Sequence, residues 1–138
     1  MIAARGLERL SAVAAQYAKL KPSPNTEPSI VDTNWEDVAP LYALASEIKQ
    51  PYPPVFASKM CHFLFPKLFI VMDNKRTDPF EYEFYWKGMK DEWRRFNEKA
   101  DILKESIKSD KPTHDWYPWE TKIMELSHMG WKSRRQQL

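Results

Sequence analysis

Prolines divide this chain more firmly than any other feature. Three fall within seven residues in Lys21-Pro22-Ser23-Pro24-Asn25-Thr26-Glu27-Pro28, and three within four in Pro51-Tyr52-Pro53-Pro54. Asp78-Pro79 and Lys111-Pro112 add two further stops. Proline lacks the backbone donor a helix interior needs and clashes with the preceding turn, so helices must lie between these points. The intervening segments repeat their apolar residues every three or four positions and never alternate strictly. The expected fold is all-α: a single compact domain over residues 1–138, with five or six helices and no substantial sheet.

Residues 2–20 form the first expected helix, with Leu7, Leu10, Val13 or Ala14, Tyr17 and Leu20 along one face. The proline-rich loop 21–29 ends it and leaves the helix free to pack away from the rest. Asn34 stands where a capping side chain belongs, with Glu36 and Asp37 in the following turn. Trp35, Val38, Leu41, Tyr42, Ala45 and Ile48 make the second apolar face, with a break expected near Pro40. A third helix spans about 55–65. Asp78-Pro79 starts the longest helix, which reaches about Ser109 with Met89, Trp93, Phe96, Ala100, Leu103 and Ile107 as a packing seam. Gly88 is the expected kink. The last helix, roughly 116–129, carries Trp116, Trp119, Ile123 and Leu126 on one face and is capped by Gly130. Residues 131–138 read as a polar tail.

Composition narrows the class. Aromatic residues make up 14% of the chain, six of them Trp, and each large ring buries roughly 150–250 Å². The formal net charge is +2, too small to attract a polyanion by bulk field. The single cysteine, Cys61, excludes an internal disulfide and reads as a buried, inert thiol. No signal peptide or run long enough for a membrane span is evident. The expectation is a soluble cytoplasmic protein.

One stretch concentrates polar groups in an apolar setting: Ser58-Lys59-Met60-Cys61-His62-Phe63-Leu64-Phe65-Pro66, then Lys67-Leu68-Phe69-Ile70-Val71-Met72-Asp73-Asn74-Lys75-Arg76. At about 100° per residue, Ser58, Lys59 and His62 share one arc of the third helix. The functional reading is a small polar ligand site: Ser58, Lys59, His62, Asp73, Asn74 and Arg76. His62 and Asp73 would handle protons or polar groups, while Lys59 and Arg76 attract an anion. The structural reading is a core helix with one wet edge, followed by a turn at Asp73-Asn74. Residues 67–72 have no second strand-like run to pair with, so they read as a buried extended connector or a further helical turn.

Other chemistries find little support. Cys61 and His62 point in different directions, while His114 and His128 are remote, so no metal set is expected. With glycine only at Gly6, Gly88 and Gly130, a phosphate-cradling loop and a nucleophile elbow are both absent. No cofactor is implied. Lys87, Lys90, Arg94, Arg95, Lys132, Arg134 and Arg135 form a basic set beside Trp131. Acidic residues, including Glu83, Asp91 and Glu98, interrupt it.

Ala57-Ser58-Lys59-x-x-His62-Phe63-x-x-Pro66, then Phe69-x-x-x-Asp73 and Pro118-x-x-Thr121-Lys122-Ile123-x-Glu125-Leu126, resembles uncharacterised small helical proteins of bacterial genomes and mobile elements. The likeness covers about a quarter of the chain and implies no settled activity. More distantly, the order of lysine helix, apolar stretch and aspartate is similar to the helix-hairpin-helix DNA glycosylases. That resemblance implies a catalytic role for Asp73. The phosphate-gripping, glycine-containing hairpin of those enzymes is replaced here by Pro53-Pro54-Val55-Phe56.

Together these features give a helical binding or interaction module rather than an enzyme, with a homo-oligomer or a helical protein as its partner and no membrane contact. The alternative is a nucleic-acid-binding or nucleic-acid-acting protein that uses Asp73 and a basic helix face.

Overall fold

A computed structural model describes residues 2–49, 51, 54–73, 81–110, 114 and 116–135, with Asn97 by its backbone alone. Six helices follow in order: α1 (Ile2–Leu20), α2 (Trp35–Ile48), α3 (Pro54–Leu64), α4 (Tyr82–Arg95), α5 (Asn97–Asp110) and α6 (Trp119–Arg135). No strand occurs among the described residues. The fold is all-α and compact, as the proline spacing requires. The helix start at Asp78-Pro79 lies outside the described residues.

α1 docks on α2. Val13 is buried, Tyr17 stacks on Phe65 with ring centroids 4.8 Å apart, and Arg9 pairs with Glu47 at 2.7 Å. The proline-rich loop does not release this helix. Ile30 is fully buried and its amide donates to the Lys67 carbonyl at 2.9 Å, while Lys67 pairs with Glu27.

α2 passes through Pro40 without a break. The proline removes only the amide that would bond the carbonyl of Glu36, an exposed residue of the first turn, where water can take its place. Burial of Val38, Leu41, Ala45 and Ile48 holds the helix together. Asn34 occupies the capping position, although its side chain makes no capping bond. The aromatic content is concentrated where α2 meets α4. Trp35 lies 5.6 Å from Trp86 and 5.9 Å from Tyr82, and Tyr42 stacks on Tyr82 at 4.4 Å.

Two expected boundaries move. The long fourth helix is two helices, and the break falls at Phe96 rather than Gly88. The Phe96 amide is shared between the Glu92 and Trp93 carbonyls at 3.0 and 3.2 Å, a tightening that re-aims the chain into α5. The seam is therefore split: Met89 and Trp93 are buried, whereas Phe96 and Leu103 are exposed.

α6 begins at Trp119, leaving Trp116 outside it and 60% exposed. Its buried residues are Trp119, Thr121, Ile123, Met124 and His128, while Leu126 faces outward. The helix continues to Arg135, so Gly130 lies inside it and the start of the expected polar tail is helical. None of the described helices is long and apolar enough to cross a membrane.

Candidate functional site

Beyond α3, residues 65–73 run without helix or strand, and Leu68, Phe69, Ile70 and Met72 are buried. Buried backbone with no sheet beside it must find hydrogen-bond partners elsewhere. Here they come from almost every surrounding element. The Pro66 carbonyl accepts from the Thr121 hydroxyl at 2.7 Å and the Lys67 carbonyl from the Ile30 amide at 2.9 Å. The Leu68 carbonyl accepts from the Trp86 indole at 2.8 Å, the Phe69 carbonyl from His62 Nδ1 at 2.7 Å, and the Ile70 carbonyl from the Tyr82 hydroxyl at 2.7 Å. On the donor side, the Met72 amide bonds the Ser58 hydroxyl oxygen at 3.0 Å.

This arrangement locates the polar stripe of α3. Ser58 is fully buried; its hydroxyl donates to the Val55 carbonyl at 3.1 Å and accepts from Met72, one residue before Asp73. His62 binds the same connector from the next turn. Burial holds the His62 pKa below its ordinary value, against the pull of the Phe69 carbonyl; nearby Lys122 lowers it further and Glu125 raises it. Of the two neutral tautomers, the one with its proton on Nδ1 donates to Phe69. Lys59 is exposed and Asp73 half-buried. Asn74 and Arg76 lie outside the described residues. Cys61, between Ser58 and His62 on α3, is fully buried and its thiol is pushed up to about 12 by desolvation, which leaves little thiolate near neutrality.

The basic set is also divided by the fold. Lys90 is buried, bonds the Thr33 carbonyl and lies 5.4 Å from the Trp86 ring. Lys87 pairs with Glu83 and Glu36 at 2.7 and 3.2 Å. Arg94 reaches the Val31 carbonyl at 3.4 Å. At the end of α6, Arg135 stacks on Trp131 at 4.8 Å.

Two concave features do not involve the stripe. An apolar groove of about 280 Å³ runs between α4–α5 and α6, walled by Met89, Trp93, Phe96, Leu103, Ile123 and Met124. On another side, a polar cleft of about 440 Å³ brings together the loop after α1, the connector, α5 and the start of α6. Sequence reasoning found the apolar seam of the groove but not the cleft. The cleft joins Glu27 to Glu120 through tertiary packing alone, and no spacing in the chain marks that. Among the described residues, no group of three or more His, Cys, Asp or Glu is placed to hold a metal ion. In comparisons with known proteins, the chain matches no protein-family model, no curated protein and no solved structure.

Proposed function

We propose that this protein is a helical interaction module that assembles with a second copy of itself, α1 of one copy lying in the α4–α5/α6 groove of the other. The observation that carries this reading is an unpartnered apolar stripe on α1. Leu7 and Leu10 are 71% and 58% exposed, and with Ala3 and Ala14 they follow the four-three-four spacing of a packing seam. The groove presents the matching half of a helix-in-groove contact, with Phe96 and Leu103 exposed along it. Made reciprocally, the contact closes into a two-fold dimer and leaves no open end for further growth.

Magnitudes set the expected strength. Each fully buried leucine contributes about 1.5–3 kcal/mol, so four leucines across two contacts contribute roughly 6–12 kcal/mol. Association costs an estimated 4–15 kcal/mol, which makes the dimer weak and concentration-dependent. Sedimentation over a concentration series tests it. Wild type should pass from monomer to dimer, and L7E/L10E should stay monomeric with unchanged helicity. Wild type that remains monomeric at the highest attainable concentration overturns the reading. No reaction is assigned, and in this view the Ser58 hydroxyl and His62 Nδ1 serve to hold the connector rather than a ligand.

A second reading, nucleic-acid contact, is favoured by one feature: Arg135 stacked on half-exposed Trp131 beside Lys132 and Arg134. A ring and a cation at one helix end suit a base and a phosphate. Binding to mixed single-stranded DNA or RNA should then fall steeply with salt, and the absence of binding at low salt eliminates this reading.

A further inference from the structure

α5 is held differently from every other helix. No described residue between Trp93 and Pro118 is buried, so α5 contributes no wholly buried side chain, whereas α4 and α6 on either side contribute six and five. Ala100 and Ile107 pack against the core only in part. Among the described residues, one side-chain hydrogen bond ties α5 to another element: Lys104 reaches Glu120 of α6 at 3.3 Å. A segment with so little buried apolar contact opens at a lower free energy than the fold as a whole.

The break at Phe96 gives this helix a pivot. The Phe96 amide is shared between the Glu92 and Trp93 carbonyls, and the Phe96 carbonyl accepts from the Ala100 amide at 2.8 Å. The bonding of α4 thus closes at the residue where that of α5 begins, and a turn about Phe96 leaves both helices whole. At the far end of α5, the described residues His114 and Trp116 are exposed. The tie to α6 is equally suited to release. Lys104 sits 3.3 Å from Asp101, one turn earlier on α5, as well as from Glu120. Parted from Glu120, the ammonium keeps Asp101. Glu120, in the first turn of α6, keeps the favourable end of the helix dipole. Neither charge is stranded.

Phe96, Lys99, Ala100 and Leu103 form one wall of the apolar groove. A helix is about 10–12 Å across, so two turns of it fill roughly 850–1,200 Å³, against about 280 Å³ for the groove. As it stands the groove takes the edge of a helix and not its body. From these relationships we infer that α5 is a hinged flap, turning about Phe96 and latched by Lys104–Glu120, whose outward swing admits α1 of a second copy. The admission step rests on the dimer reading above. α4 and α6 do not yield in this way, because their buried side chains are part of the core.

Spin labels on I102C and L126C, at two exposed positions of α5 and α6, test the flap in an L7E/L10E background that has no α1 stripe to seat. Cys61 is buried out of reach of the label. Two label–label distances are expected, and E120Q should raise the longer population two- to fivefold, the range set by an accessible ion pair. E105Q removes a pair that stays within α5 and should change that population less than twofold, with helicity unchanged in both variants. A single distance that E120Q leaves alone overturns the inference, as does an equal response to E105Q. Sedimentation without the labels or the α1 substitutions then tests admission: E120Q should associate two- to fivefold more tightly than wild type, because a larger fraction is open. Dimers whose affinity E120Q leaves unchanged overturn the gating role. Two distances in a protein that never dimerises overturn the dimer reading, and the gating role with it, while leaving the flap.

Discussion

The indole N–H of Trp86 donates to the carbonyl of Leu68 at 2.8 Å, and both residues are almost wholly buried. One side chain of α4 thus does what a neighbouring strand does in a sheet. Tyr82, one turn earlier on the same helix, repeats the relationship with Ile70 two residues further along the connector.

Two buried tyrosines on α4 give a controlled comparison. Tyr82 donates to Ile70, whereas the Tyr85 hydroxyl has no hydrogen-bond partner among the described residues. Y82F strands the Ile70 carbonyl and should cost about 1–3 kcal/mol in chemical denaturation. Y85F removes an unsatisfied group and should be neutral or stabilising. Equal effects would mean that the Ile70 bond contributes nothing specific.

Adjacent positions on α3 should diverge in the same way. S58A frees a buried Met72 amide, at about 1–3 kcal/mol. K59A changes an exposed residue and should stay within about 0.5 kcal/mol. A urea midpoint for each variant decides the matter, and a large K59A effect would count against the placement of the stripe.

Acid should weaken the fold through His62. Its folded pKa lies below the ordinary 6.5 because of burial, opposed by the Phe69 carbonyl, with smaller effects of Lys122 and Glu125. The unfolded chain therefore binds the proton more readily, and stability rises with pH across that window. The His62 contribution is complete above 6.5 and is lost as pH falls through the lowered folded value. Wild type should lose stability on acidification faster than H62Q. Parallel pH profiles would show that His62 is not the titrating group.

Gly88 offers a gain. It is an exposed residue inside α4, and an added β-carbon would meet nothing within 4 Å. G88A should stabilise the protein by about 1 kcal/mol, visible as a higher Tm with unchanged helicity. A lower Tm would reveal a contact that the geometry does not contain.

What was legible in the chain follows from the range of the forces involved. α1 and α2 are local objects, bounded by prolines and carrying their own periodicity, and their spans match expectation. The connector was recognisable as buried because five of its six residues, Leu68 to Met72, are apolar. Its partners were not, since Thr121, Trp86 and Ile30 reach it only after the helices assemble. The break at Phe96 was hidden because the four-three spacing runs through it undisturbed. The doubled use of the Phe96 amide, a backbone arrangement that no residue type at this point marks, splits the seam. The candidate site followed the same rule: Ser58 and His62 were visible as polar residues in an apolar helix, but what they bind lies on another segment.

The connector also bears on how the molecule reaches its native state. Its five consecutive carbonyls are matched by donors from the loop after α1 and from α3, α4 and α6. An intermediate that had collapsed around it with one of those elements undocked would hold at least one polar group buried and unmatched. Partial assembly is therefore penalised at each step, and the core should close in a single concerted event, even though most individual helices are specified locally.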